Sequence, residues 1–278
     1  MNRTLTLGYS PCPNDTFIFY ALVHRRIELP GLTFRQQLED VETLNRLALQ
    51  GALDLTKVSY HALGHLRRDY ALLRSGGALG RGCGPLVVAR QETTMEQLRG
   101  KRFAIPGRLT TANLLLQLYG AGFDQLLILP FDRIMTAIAT GEADAGVIIH
   151  ESRFTYRRQG LVQVLDLGEW WEQETGLPIP LGGILARRAL GAELIGRLET
   201  GLRQSIDYAF SHPREPQDYI REHAQELDPE VTASHIALYV NDFSRDLGDE
   251  GAGAVQELLR RAEARGLIPP CELPLFGS

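Results

Sequence analysis

The sequence is poor in several features that would point elsewhere. It has only three cysteines, Cys12, Cys83 and Cys271, an odd number without a CxxC pair, which argues against a disulfide framework and against a structural zinc site. It lacks a basic excess: 29 Lys+Arg stand against 34 Asp+Glu, a net charge of −5, so no face suited to nucleic acid is expected. No apolar run reaches the ~18 residues that a membrane helix needs. The first residues carry no charged-then-apolar leader and enter strand-like sequence at Thr4-Leu5-Thr6-Leu7-Gly8-Tyr9, so a cytosolic protein is expected. There is no Gly-x-Ser-x-Gly elbow and no phosphate loop. The glycine run from Gly76 to Gly84 is followed by Pro85 and leads into a strand, whereas a dinucleotide fingerprint must open a helix. His61 and His65 lie four apart without the glutamate of a zincin motif, so no metal centre is expected there. A small anionic ligand fits this profile better than a macromolecule or a membrane.

What is present is an alternation of short β-rich runs and helical patterns, the signature of an α/β fold. Strands are expected near 3–9, 32–38, 54–58, 102–105, 125–129 and 145–149. Helical periodicity runs over Phe17 to His24, Val41 to Leu49, Ala112 to Tyr119 and Arg133 to Thr140, then almost continuously from Leu190. Residues 42–63 (ETLNRLALQGALDLTKVSYHAL) resemble residues 133–154 (RIMTAIATGEADAGVIIHESRF), with Gly51 and Asp54 corresponding to Gly141 and Asp144. In each copy the glycine can close a helix in the left-handed conformation, and the aspartate opens a strand. Two similar α/β lobes would produce this repeat. The apolar extended runs 85–89 and 181–186 predict a two-strand hinge. Lobe one is then 1–85 plus 187–278, with the helical C-terminal segment packed on it, and lobe two is 86–186, with a ligand cleft between.

Four segments could carry chemistry at that cleft. Ser10-Pro11-Cys12-Pro13-Asn14-Asp15-Thr16 links the first strand to a helix, where Asn14 or Asp15 can either cap the helix or meet a ligand. In Lys57-Val58-Ser59, strand alternation places Lys57 and Ser59 on one face with Val58 on the other. So buried a lysine needs a partner, a protein carboxylate or a substrate anion. Thr110 and Thr111 open an apolar helix, where hydroxyls and free amides can hold a carboxylate. The apolar strand Ala145 to Ile149 delivers His150 to its carboxyl end, and the helix expected to start at once would keep the imidazole neutral.

SPCPNDTFIF (from Ser10), DVETLN (from Asp40), DLTKVSYHA (from Asp54), GRGCGPLVV (from Gly80) and VIIHE (from Val147) together resemble the 1,4-dihydroxy-6-naphthoate synthases, a family of periplasmic-binding-protein type II architecture in menaquinone biosynthesis by the futalosine route. The resemblance spans the first 190 residues, and the helical tail is compatible with it. It implies a cytosolic lyase that converts cyclic dehypoxanthine futalosine into 1,4-dihydroxy-6-naphthoate without cofactor or metal. It also implies that His150 is the base and that Lys57, Ser59, Thr110 and Thr111 bind substrate; Ser10, Asn14 and Val58 complete the expected binding set. Rival readings are a non-catalytic solute-binding protein and chorismate dehydratase of the same pathway, against which SPCPND and VIIHE favour the synthase.

Overall fold

A computed structural model describes residues 3–225 and 228–277; the remaining residues of the expected first lobe (1–2, 226–227 and 278) lie outside the described residues. Two sheets form. The first contains β1 (Arg3–Tyr9), β2 (Leu32–Leu38), β3 (Leu55–Ser59), β4 (Tyr70–Leu72) and β5 (Ala78–Gly80). The second contains β6 (Leu86–Ala89), β7 (Phe103–Ile105), β8 (Leu126–Ile128), β9 (Ala145–Ile148) and β10 (Val162–Asp166), after which β11 (Ile179–Arg187) returns to the first. Strand order is β2-β1-β3-β11-β4 in one sheet, with β5 also on β11, and β10-β6-β9-β7-β8 in the other. Read from the opposite end, the second order repeats the first. In each, three parallel strands are followed by one antiparallel strand that arrives from the other lobe, β11 or β6.

The sequence repeat has a physical basis in these sheets. Gly51 and Gly141 adopt φ of 67° and 83° and end the helices Val41–Leu49 and Phe131–Thr140, a backbone state that costs glycine nothing. Three residues on, each aspartate fastens its strand to the central parallel neighbour. Asp54 Oδ2 accepts from Thr6 N at 2.8 Å, and Asp144 Oδ2 accepts from Arg102 N at 2.9 Å. The carboxyl ends of β3 and β9 thereby occupy equivalent places, facing one another across the cleft.

The two expected hinge runs are ordinary sheet strands, one in each lobe. Residues 181–186, expected with lobe two, are hydrogen-bonded into the first sheet between β3 and β4, where Ile184, Leu185 and Ala186 are buried. An apolar run of that length satisfies its backbone groups only when paired on both edges. The crossings proper are 81–85 and 176–178. Beside them two glycines meet backbone to backbone: a Cβ on Gly84 would come within 2.3 Å of the Gly168 backbone, and one on Gly168 within 2.7 Å of Gly84.

Helix Pro13–Val23 packs beneath the first sheet against the long helix Ala192–Ser211, where the Ser205 hydroxyl donates to Ile18 O at 2.7 Å and accepts from Leu22 N at 3.0 Å. The C-terminal helices Gln217–His223 and Pro229–Tyr239 cover the same helix, and Gly248–Ala264 packs on Tyr60–Leu66 and β11. No helix among the described residues is long and apolar enough to cross a membrane.

Candidate active site

A cavity lies between the lobes, lined by all eight residues singled out from the sequence: Ser10, Asn14, Lys57, Val58, Ser59, Thr110, Thr111 and His150. Asp15, Cys83, Ile149, Leu181 and Tyr239 complete much of its wall.

On the lobe-one side the wall is a polar chain set into apolar surroundings. Lys57 Nζ donates to Asp15 Oδ1 at 2.8 Å and to Gly76 O at 3.4 Å. Both partners of this ion pair are buried, with side chains 7% and 2% exposed. Ser10 donates to Asp15 Oδ2 through its hydroxyl (2.8 Å) and its amide (3.2 Å), and Asn14 Nδ2 donates to Asp15 Oδ1 at 2.9 Å. Asn14 and Asp15 therefore do not cap their helix, which starts at Pro13 with Cys12 before it and no side-chain cap. Removing either member of such a buried pair leaves an uncompensated charge. Val58 points its side chain into the core, while Ser59 is held by Asn45, whose amide accepts from Ser59 N (2.9 Å) and donates to Ser59 Oγ (3.3 Å).

From lobe two, Thr110 caps helix Thr111–Tyr119 by accepting from Asn113 N at 3.3 Å. Thr111 has a different task. Its hydroxyl accepts from Tyr60 N at 2.9 Å and donates to Leu181 O at 2.6 Å, both in lobe one. A second bridge comes from Glu42, which reaches from lobe one to accept from Arg108 N (3.0 Å) and Leu109 N (3.2 Å). Asn45 Nδ2 donates to Leu109 O at 3.3 Å, and His61 Nδ1 lies 3.3 Å from Thr110 O. Burial pushes the Glu42 carboxyl above the usual carboxylate range, against the pull of Asn45 and the two amides. Burial likewise lowers His61 to about 4, with His65 adding to the effect.

His150 sits at the end of β9, partly exposed to the cavity, with φ of 55°. Left-handed backbone is costly for a residue with a Cβ and clusters at functional sites. Its pKa is lowered to about 4, first by burial and then by Lys57, with Asp15 and Asp40 opposing. The cause differs from the helix terminus expected from the sequence. Only the short helix Ser152–Thr155 follows, too small to supply much of a dipole. Phe131 and His235 flank the ring, with centroids at 5.0 and 6.0 Å.

Three residues of this neighbourhood were not legible as functional. His235, on helix Pro229–Tyr239, is fully buried with Nε2 2.9 Å from Asn14 Oδ1. Glu42 reads as one more charge on an exposed helix face. Cys12 Sγ lies within 4.8 Å of a His150 nitrogen and a Glu151 carboxylate oxygen. These are zinc-type donors; burial, reinforced by Glu151, raises the Cys12 thiol well above its usual range, so without a metal the sulfur beside His150 is a neutral thiol.

Known proteins share this chain's sequence and fold. A family model described as menaquinone biosynthesis matches residues 5–264. The chain is 59% identical over 274 residues to a 1,4-dihydroxy-6-naphthoate synthase of Thermus thermophilus, covering 99% of each chain. It is 48% identical over 276 residues to one of Streptomyces coelicolor, covering 96% of this chain and 95% of the relative. A solved structure of an Archaeoglobus fulgidus protein superposes with a TM-score of 0.90 at 39% identity, over 95% of this chain and 98% of that one. An alkanesulfonate-binding protein from Xanthomonas axonopodis superposes at 0.71 with 17% identity, over 97% and 96% of the two chains, a likeness of fold alone. The chain therefore belongs to the menaquinone-biosynthesis family, built on the two-lobed fold of periplasmic binding proteins.

Proposed function

We propose that this protein is a lyase that converts cyclic dehypoxanthine futalosine into 1,4-dihydroxy-6-naphthoate, with His150 as general base. The observation that carries the reading is an uncharged imidazole and a buried ammonium lining one cavity between the lobes. With its pKa lowered to about 4, His150 keeps a free lone pair at neutral pH. An elimination that aromatises a ring needs such a base. An ammonium has three donors; Asp15 and Gly76 take two from Lys57, and the third is free to hold the substrate carboxylate. Ser10, Asn14, Val58, Ser59, Thr110 and Thr111 complete the binding wall, and lobes closing about the crossings 81–85 and 176–178 keep water from the reacting ring. The names of the relatives support the substrate and pathway, and their biosynthetic role fits the cytosol.

The test is to incubate the pure protein with cyclic dehypoxanthine futalosine, without additives, and to follow the naphthoate by mass; this also reads cofactor independence. His150→Ala should lose about 10²–10⁴ in kcat, the usual worth of a positioned base, with His150→Asn as a packing control. Because the unprotonated ring is the active form, kcat should hold steady from neutral pH down to about 5 and fall through about 4. Unchanged ligand would favour a solute-binding protein, and turnover of chorismate alone would favour the dehydratase. An alanine variant with near-normal kcat would remove His150 from the chemistry.

A further inference from the structure

The hydrogen bonds behind Lys57 have a direction that can be worked out atom by atom. A carboxylate oxygen only accepts, so the group that meets Asp15 Oδ1 at 2.9 Å is the amide nitrogen of Asn14. The other end of that amide, Oδ1, then faces His235 Nε2 at 2.9 Å. A carbonyl oxygen also only accepts, so Nε2 carries the proton and Nδ1 is a bare lone pair. Nδ1 is buried and has no hydrogen-bond partner among the described residues. A charged ring would need an acceptor there as well; burial, with His150 and Lys57 nearby, keeps His235 neutral. The donors thus run one way, from His235 to Asn14 to Asp15, and Lys57 donates to the same Asp15 oxygen. His235 itself does not line the cavity; it reaches the site through Asn14 and backs the His150 ring at 6.0 Å with planes 15° apart.

We propose that His235 is a positioning residue for substrate binding: its Nε2–H fixes the Asn14 amide, the amide fixes the Asp15 carboxylate, and the carboxylate holds Lys57 Nζ toward the cavity. The inference rests on the reading of Lys57 as the anchor of the substrate carboxylate. Without the donor, Asn14 Oδ1 is left buried and unpaired. The amide then turns to find another partner, Asp15 loses a hydrogen bond, and the ammonium is no longer confined to one direction. The His150 ring keeps its aromatic neighbour when the replacement is aromatic.

The experiment uses His235→Phe, which keeps a ring but no donor, and His235→Gln, which returns an N–H near the Nε2 position. Binding of 1,4-dihydroxy-6-naphthoate is measured by calorimetry and KM and kcat by steady-state kinetics, in the wild-type and Lys57→Ala backgrounds. His235→Phe should weaken naphthoate binding and raise KM about tenfold, while kcat changes less than about threefold. His235→Gln should recover most of the loss. In the Lys57→Ala background His235→Phe should add almost nothing, because residues acting through one contact are not additive. Equal weakening with and without Lys57, or wild-type binding by His235→Phe, overturns the proposal. So does a lowered Tm in both variants with no split between KM and kcat. Calorimetry needs no turnover, so an active His150→Ala variant would undo the base assignment and leave this readout intact.

Discussion

Replacing Glu42 with alanine should loosen the contact between the lobes without touching the cavity wall. Its carboxylate bridges from lobe one to two backbone amides of lobe two, Arg108 N at 3.0 Å and Leu109 N at 3.2 Å. Bonds to a charged acceptor are worth roughly 1.5–3 kcal/mol each net. Glu42 is partly exposed, and in an open form both amides regain water, so each bond is discounted to about 1–1.5 kcal/mol and the pair together is worth about 2–3 kcal/mol. The opening equilibrium then shifts by roughly 30- to 150-fold. Substrate binding to a closed form weakens only as far as the open form becomes populated, which makes that factor the ceiling for the rise in KM. Small-angle scattering should show a larger radius of gyration for unliganded Glu42→Ala than for wild type, and saturating naphthoate should bring the two together. Steady-state kinetics should show a raised KM with kcat largely kept. Glu42→Gln, which retains one acceptor oxygen, should fall between. If Glu42→Ala has the wild-type radius of gyration and KM, the bridge does not hold the lobes and the reasoning fails.

Two further outcomes follow from the same geometry. Lys57→Ala and Thr111→Val should raise KM more than they lower kcat, since a carboxylate anchor keeps its charge throughout the reaction and the Thr111 hydroxyl spans both lobes; a fixed KM with a collapsed kcat would reverse these roles. His61 is buried with its pKa lowered to about 4, so between about pH 6.5 and 4 the unfolded chain binds the proton and the folded one does not. Stability from this group is full above about pH 6.5 and is lost on acidification, by about 3 kcal/mol at pH 4. Urea unfolding of wild type against His61→Gln across that range reads the difference; parallel curves would show that His61 does not titrate this way.

Much of this architecture is written locally. Gly51 with Asp54 and Gly141 with Asp144 each combine a helix stop and a strand start within four residues, which is why the repeat and its strands could be read without a structure. Lys57 and Ser59 lie in a wholly buried strand and His150 stands two residues beyond another, and they stand out for that reason. The same local view misplaced β11, because an apolar extended run looks alike whether it crosses between lobes or pairs within one. It also assigned His150's neutrality to a helix that is only four residues long. Short strands such as β4 and β5 carry too few residues for a period-two pattern. Glu42 and His235 lacked any signal, since a helical charge and a lone histidine acquire meaning only when tertiary packing sets Leu109 or Asn14 against them.

The glycine contact beside the lobe crossings ties two distant positions into one. A methyl group on either Gly84 or Gly168 would run into the backbone of the other, which leaves no room for it. The first alanine at either position would wedge the outgoing and returning backbones apart, and a second would find the gap already opened. Genetically, the two sites should therefore behave as a single locus governing the resting angle of the jaws, in which the first change carries nearly the whole effect. An engineer who wanted a wider cleft for a bulkier ring system would begin there, at two positions that do not themselves line the cavity.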